Sequence, residues 1–161
     1  MELRPYEEGD LWLARALESD PQVMRDLGGP TLPEKILQHH HRRSKNVRDV
    51  DVWYFTVLAE DRSPAGTIGI WASEVSGSSI YEAGWMVLPA YQGRGLATAA
   101  GRELLRRARQ ARQFKTIHAF PSASNAASNA VCRKLGFVLA GEAFFSYNGP
   151  PQKLNDWKID L

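Results

Sequence analysis

Between residues 80 and 120 the chain changes its hydrophobic period from two to about 3.6 and back, and this switch restricts the topology more than any other feature. Residues 80–88 read as a strand. After Pro89, Ala97, Gly101, Leu104, Ala108 and Ala111 recur at spacings of 4, 3, 4 and 3, while Arg102, Arg106 and Arg109 occupy another face. That is the pattern of an amphipathic helix. Residues 116–120 return to a strand. Strand, helix and strand in this order form a crossover, which is right-handed and joins parallel strands.

The flanks complete a mixed α/β domain. Residues 3–5 predict a short strand, and 10–18 a helix with Asp10 as N-cap. Residues 32–45 predict a helix with Pro33 in its first turn. Residues 52–58 and 67–72 predict two strands joined by the Ser63-Pro64-Ala65-Gly66 turn. Residues 125–135 predict a short helix stopped by Gly136, and 137–147 and 154–161 predict two closing strands. At 161 residues, with no repeat and no long linker, the chain fits a single domain spanning 1–161.

The turn inside the crossover carries the chemistry. Leu88-Pro89-Ala90-Tyr91-Gln92-Gly93-Arg94-Gly95-Leu96-Ala97-Thr98 leads from a strand through two glycines into a helix. Such a turn aims several backbone N–H groups at one point, where the helix dipole also favours an anion. Arg94 adds a positive charge. Taken alone, the glycines could equally serve a tight turn. A dinucleotide fingerprint is excluded, because Thr98 stands where a third Gly or Ala is needed and no acid lies between Glu103 and Glu142. A nucleoside triphosphate loop is excluded because the chain has no Gly-Lys pair.

Charge is distributed unevenly around this turn. The formal net charge is +2, yet residues 94–115 hold seven basic residues and one acid. The basic side chains fall on the outer face of the amphipathic helix without interleaved aromatics. A solvated face explains them, a nucleic-acid partner is disfavoured, and an anionic ligand would be drawn to this edge. The one cysteine, Cys132, precludes an internal disulfide. No apolar run reaches membrane-spanning length, and the first residues lack the pattern of a secretory signal. A soluble, cytoplasmic protein is expected. His39-His40-His41 has no Cys or acidic cluster beside it and reads as a solvated helix end, with no metal site implied.

Gln92-Gly93-Arg94-Gly95-Leu96-Ala97 resembles the pyrophosphate loop of the GNAT superfamily of N-acetyltransferases. Asn125-Ala126-Ala127-Ser128 followed by Lys134-Leu135-Gly136-Phe137, and Glu82-Ala83-Gly84-Trp85 before the loop, resemble its RimJ/RimL-like branch. The resemblance runs over the whole chain. It implies a mostly antiparallel sheet of about six or seven strands with flanking helices and a parallel crossover at the cofactor site. It also implies acetyl-CoA as acetyl donor, no metal, and a primary amine as acceptor, on a small molecule or peptide: a protein N-terminus, polyamine, amino acid or antibiotic. A homodimer is compatible with it.

The same resemblance assigns residue roles. Backbone groups of Met86 and Val87 are expected to meet the pantetheine arm, and those of Gln92, Gly93, Arg94, Gly95, Leu96, Ala97 and Thr98 the pyrophosphate. Asn125 and Ser128 are expected to line the cofactor chain, although both also suit a helix first turn. The residues Asn125, Ser128 and Cys132 share one helix face, with Ala127 and Val131 expected to pack inward. Many relatives carry a tyrosine at the position of Cys132, where it protonates the departing thiolate. Cys132 is therefore either a small core residue or, with Ser128, a candidate acid. Glu82, unusual inside a strand, is the candidate base, or else a charge-paired structural residue. His118 is a second candidate base. Trp12, Trp53, Phe144, Phe145 and Tyr147 are candidate acceptor walls. Two readings compete with an enzyme: a non-catalytic acyl-CoA-binding or sensing protein, and a nucleic-acid-binding accessory.

Overall fold

The computed structural model describes residues 1–45 and 52–161. Seven strands form one sheet: β1 (Glu2–Pro5), β2 (Val52–Leu58), β3 (Pro64–Val75), β4 (Ser78–Val87), β5 (Thr116–Ala119), β6 (Val138–Phe145) and β7 (Gln152–Asp160). Their order is β1-β2-β3-β4-β5-β7-β6. Each neighbouring pair is antiparallel except β4 and β5, the two strands that the crossover joins. Among the described residues, five α-helices flank the sheet: α1 (Leu11–Glu18), α2 (Pro21–Met24), α3 (Pro33–Lys45), α4 (Leu96–Ala111) and α5 (Ala126–Leu135).

The crossover helix α4 turns Ala100, Gly101, Leu104, Leu105 and Ala108 inward. Of these, Ala100, Leu104, Leu105 and Ala108 join Ile68, Ile70, Ala83, Ile117, Cys132 and Trp157 in the main core on one face of the sheet. Burial of these side chains contributes about 1.5–3 kcal/mol for each large aliphatic residue, so the helix is held by packing on its apolar stripe.

Several local expectations need correction. β3 and β4 are longer than their apolar cores, because the hairpin pairs without a break from Gly66↔Val87 to Val75↔Ser78. Helix α2, four residues long with Asp20 accepting from the N–H groups of Gln22 and Val23 at its start, lies in a segment too short for periodicity to reveal. Asp10 occupies the N-cap position of α1, but its side chain makes no cap bond to that helix. Its carboxylate accepts from Arg4, the Glu7 N–H and the Thr56 hydroxyl, at 2.6, 2.9 and 2.8 Å, tying the first turn to β2. The three histidines diverge: His39 Nδ1 meets Glu18 at 2.7 Å, His40 is buried against the Tyr6 hydroxyl at 2.8 Å, and only His41 is solvated. On α5, Asn129 and Cys132 are the buried positions, whereas Ala127 is exposed.

Candidate active site

β4 and β5 separate almost as soon as they meet. Among the described residues they pair at Tyr81↔Ile117 and Glu82↔His118, although β4 continues to Val87. Above Glu82 the sheet therefore opens into a wedge. α4 and α5 begin at the carboxyl ends of these two strands and flank it, at the point in an α/β sheet where ligands characteristically bind.

The alternation of the ladder determines which peptide groups face the wedge. Leu88 N donates to Ala65 O at 2.9 Å. In an antiparallel register this makes Ala65/Leu88, Thr67/Met86 and Gly69/Gly84 the hydrogen-bonded pairs. Ala83, Trp85 and Val87 then turn their N–H and C=O groups away from β3. Met86 is thus corrected: its peptide groups belong to the sheet, and Trp85 and Val87 present the open edge.

The Val87 carbonyl is already engaged. It accepts from Gln92 Nε2 at 2.9 Å, and Gln92 Oε1 accepts from Gln22 Nε2 at 3.0 Å. The Gln92 side chain is a brace between the end of β4 and α2, and the Val87 N–H is the group left to the wedge.

Beyond the brace, Gly93 and Gly95 have φ of 74° and 75°, values that a Cβ makes costly. A Cβ on either would meet nothing within 4 Å, so the glycines are needed for torsion, not for space. The first helical bond of α4 runs from Ala99 N to Gly95 O at 3.0 Å. The N–H groups of Leu96, Ala97 and Thr98 consequently have no partner among the described residues. Arg94 is exposed, with its guanidinium 5.7 Å from the Tyr91 ring centre. Free donors, a helix N-terminus and an exposed positive side chain together suit a diphosphate.

On the opposite face of the sheet from α4, Glu82 is 3% exposed and lines a cavity of about 510 Å³. Its Oε1 accepts from the Tyr147 hydroxyl. Burial raises Glu82 above the usual carboxylate range, outweighing the Tyr147, Ser73 and Trp71 donors that favour the anion. Tyr147 is raised well above the ordinary phenol value, by burial first and by the Glu82 charge second. Trp71, opposite Glu82 in the register, stacks on Tyr54 at 5.4 Å and 7°. It also covers Gly84, where a Cβ would come within 2.5 Å of the indole.

Phe144, Phe145 and Tyr147 line the cavity, but Trp12 and Trp53 do not. Trp12 is half exposed on α1, and Trp53 packs edge-on against Phe55 and Phe114. The remaining walls, Tyr54, Trp71 and Arg42 among them, were not identifiable from sequence: they come together only through the β2–β3–β4 register and the end of α3.

α5 closes the other side of the wedge. Asn125 Oδ1 accepts from Ser128 N at 3.0 Å, so this side chain caps the helix. Ser128 is partly exposed in the first turn. Asn129, which no sequence signal singled out, is buried and fully bonded. Its Nδ2 donates to Ser122 O and Asn125 O, and its Oδ1 accepts from Asn155 Nδ2 and Trp157 Nε1, all within 2.7–2.9 Å. Cys132 is 0% exposed in the main core, and burial pushes its thiol up to about 12. Its side chain packs among the apolar residues of that core.

His118 holds Asp156 through Nδ1 at 2.7 Å and stacks on Phe120 at 5.8 Å and 9°. Among the described residues no cluster of three or more His, Cys, Asp or Glu could hold a metal ion, and no helix is long and apolar enough to cross a membrane.

Comparison with known proteins places this geometry. The model of the acetyltransferase (GNAT) domain matches residues 1–138. No curated protein matches the sequence. Among solved structures, the chain is similar to an acetyltransferase from Salmonella typhimurium that modifies the N-terminal serine of ribosomal protein L7/L12. The identity is 18% and the TM-score 0.81, over 99% of this chain and 94% of that one. It is similar to a spermidine N-acetyltransferase from Vibrio cholerae in complex with CoA and spermine, at 20% identity and TM-score 0.80, over 99% and 94%. It is also similar to a microcin C7 self-immunity acetyltransferase in complex with acetyl-CoA and AMP, at 14% identity and TM-score 0.81, over 99% and 91%.

Proposed function

Because the chain belongs to the GNAT family of acetyltransferases, we propose that it transfers the acetyl group of acetyl-CoA to a primary amine by direct attack. One observation carries this reading: the sheet splits directly above a buried glutamate that lines a separate cavity. A thioester reaching down the wedge and an amine held in the cavity would meet across a single sheet, at Glu82.

The residues present fit acetyl-CoA. Trp85 and Val87 offer peptide groups to a pantetheine amide, and the unpartnered N–H groups at the start of α4, with Arg94, suit the diphosphate. When bound, acetyl-CoA supplies an activated acyl group. Glu82 takes the proton that the amine must lose, and its raised affinity for protons places this step closer to neutral pH than an ordinary carboxylate would. The Val87 N–H, turned into the wedge, is the donor available to polarise the acyl carbonyl. Ser128, partly exposed at the wedge flank, is the group suited to protonate the departing thiolate, a role for which the core position of Cys132 is unfit. Holding both reactants across Glu82 supplies much of the acceleration.

The acceptor belongs to the amines with which RimJ/RimL-like enzymes work: a protein N-terminus, a polyamine, an amino acid or an amine antibiotic. The aromatic walls Tyr54 and Trp71 and the buried acid Glu82 favour a cationic amine. The test is thiol release from acetyl-CoA across a panel of these acceptors. Amine-dependent release is expected. Thermal stabilisation by CoA with no release for any acceptor would instead support an acyl-CoA-binding protein.

A further inference from the structure

We infer that His118, held by Asp156, is the residue through which the proton collected on Glu82 leaves for solvent. The inference rests on the transferase reading above and adds a positioning residue that does not itself touch substrate.

Glu82 needs an exit for its proton. It is 3% exposed, and one of its oxygens is occupied by Tyr147. His118 is its register partner at the last paired position of β4 and β5. Adjacent strands lie about 4.8 Å apart, and paired residues project from the same face. His118 keeps 18% of its side chain in contact with water. Asp156 engages Nδ1 at 2.7 Å, which fixes the N–H on that nitrogen and leaves Nε2 as the free base, in the manner of an oriented imidazole. Stacking on Phe120 holds the ring plane.

The other groups around this pair are poorly suited to carry the proton. β3 contributes Trp71 and Ser73, β2 Tyr54, α3 Arg42, the segment after β6 Tyr147, and β7 Lys158, which is exposed opposite His118. None of these has an ordinary value near neutrality. The step is a simple proton transfer. The O–H bond of protonated Glu82 breaks and an N–H bond forms at His118 Nε2, directly or through one bridging water, and the imidazolium then releases the proton to water. Glu82 is left as the carboxylate, ready for another turnover.

The test compares H118A and D156N with the wild type, using whichever amine supports turnover, and measures kcat, the KM for acetyl-CoA and the pH profile. H118A should lower kcat by roughly 10–100-fold with the acetyl-CoA KM within about twofold, and added imidazole should restore the rate in proportion to its free-base form. D156N should lower kcat less and alter the pH profile. A kcat for H118A equal to that of the wild type would overturn the relay. So would a loss that imidazole does not restore while CoA binding is intact, because a purely structural histidine behaves that way. If H118A does not fold, H118N takes its place, since its amide nitrogen sits where Nδ1 does and keeps a hydrogen bond to Asp156 but cannot carry a proton. It must show the same kcat loss at unchanged KM, and wild-type activity would sink the proposal. A wild-type protein inactive with every amine refutes the transferase reading itself, whereas an active wild type with unaffected His118 variants refutes only the relay.

Discussion

The two sides of the wedge are built from different material. The α4 side is made of peptide groups: the Val87 N–H, the free N–H groups of Leu96, Ala97 and Thr98, and the two left-handed glycines that aim them. The side proposed to take the acceptor is made of side chains drawn from distant segments, with Glu82 from β4, Trp71 from β3, Tyr54 from β2, Arg42 from α3 and Tyr147 from the segment after β6. A site made of backbone fixes the glycines and leaves most other positions free, so it tolerates sequence drift while keeping one ligand. A site made of side chains changes its ligand with each substitution.

The largest expected effect breaks the acceptor side alone. E82Q keeps the shape and the hydrogen bond with Tyr147 but cannot take a proton, so kcat should fall by about 10²–10⁴-fold with acetyl-CoA affinity nearly unchanged. In the wild type the rate should rise with pH as Glu82 loses its proton. That limb should lie above the range of an ordinary glutamate, because burial raises Glu82. E82Q should lack the limb. Steady-state rates from pH 5 to 9 with calorimetric CoA binding check both halves. An E82Q enzyme with wild-type kcat would remove Glu82 from the reaction.

Replacing Gly95 tests the other side. Its φ of 75° makes alanine there cost about 1–2 kcal/mol, and an affinity loss of roughly 5–30-fold for CoA is expected if the loop must keep that shape to bind. Because a Cβ would meet nothing within 4 Å, the defect should be torsional, and Gly95→Asn should be milder, since asparagine tolerates the left-handed region. At saturating acetyl-CoA, kcat should be close to that of the wild type. A kcat defect at saturation would show that the two sides are not separable.

This division also explains what could be read from the sequence. The crossover, the glycine turn that opens α4 and the stop at Gly136 were legible because torsion and period mark them locally. The assignment of Met86 went wrong because which of two adjacent residues faces an open edge depends on ladder phase, set by Leu88 bonding to Ala65. Trp71 and Asp156 were not legible because their value lies in contacts with residues 11 and 38 positions away: Trp71 is the register partner of Glu82, and Asp156 hydrogen-bonds His118. Asn129 reads as a helix-surface asparagine until β7 supplies Asn155 and Trp157 as donors.

Y147F refines the acceptor side. The Tyr147 hydroxyl donates to the Glu82 carboxylate and favours the anion. Its removal should push Glu82 further up and move the rising limb of the profile to higher pH. The rate deficit should therefore be clear near neutrality and shrink as pH increases. A deficit constant across pH would mean that Tyr147 shapes the cavity without tuning the acid.

The smallest effect concerns Cys132, on the same helix as Ser128 but in another environment. A thiol held at about 12 gives up its proton less readily than an ordinary thiol near 8.5, the kind of thiolate it would have to serve. C132A should therefore leave kcat within about twofold and cost about 1–2 kcal/mol of stability, from the small cavity it opens in the main core. C132S, which buries a hydroxyl among apolar groups, should destabilise more. Chemical denaturation and saturating rates on both variants separate the two contributions. A large kcat loss in a well-folded C132A would return this residue from the core to the reaction, and would extend the side-chain-built part of the site across the wedge to α5.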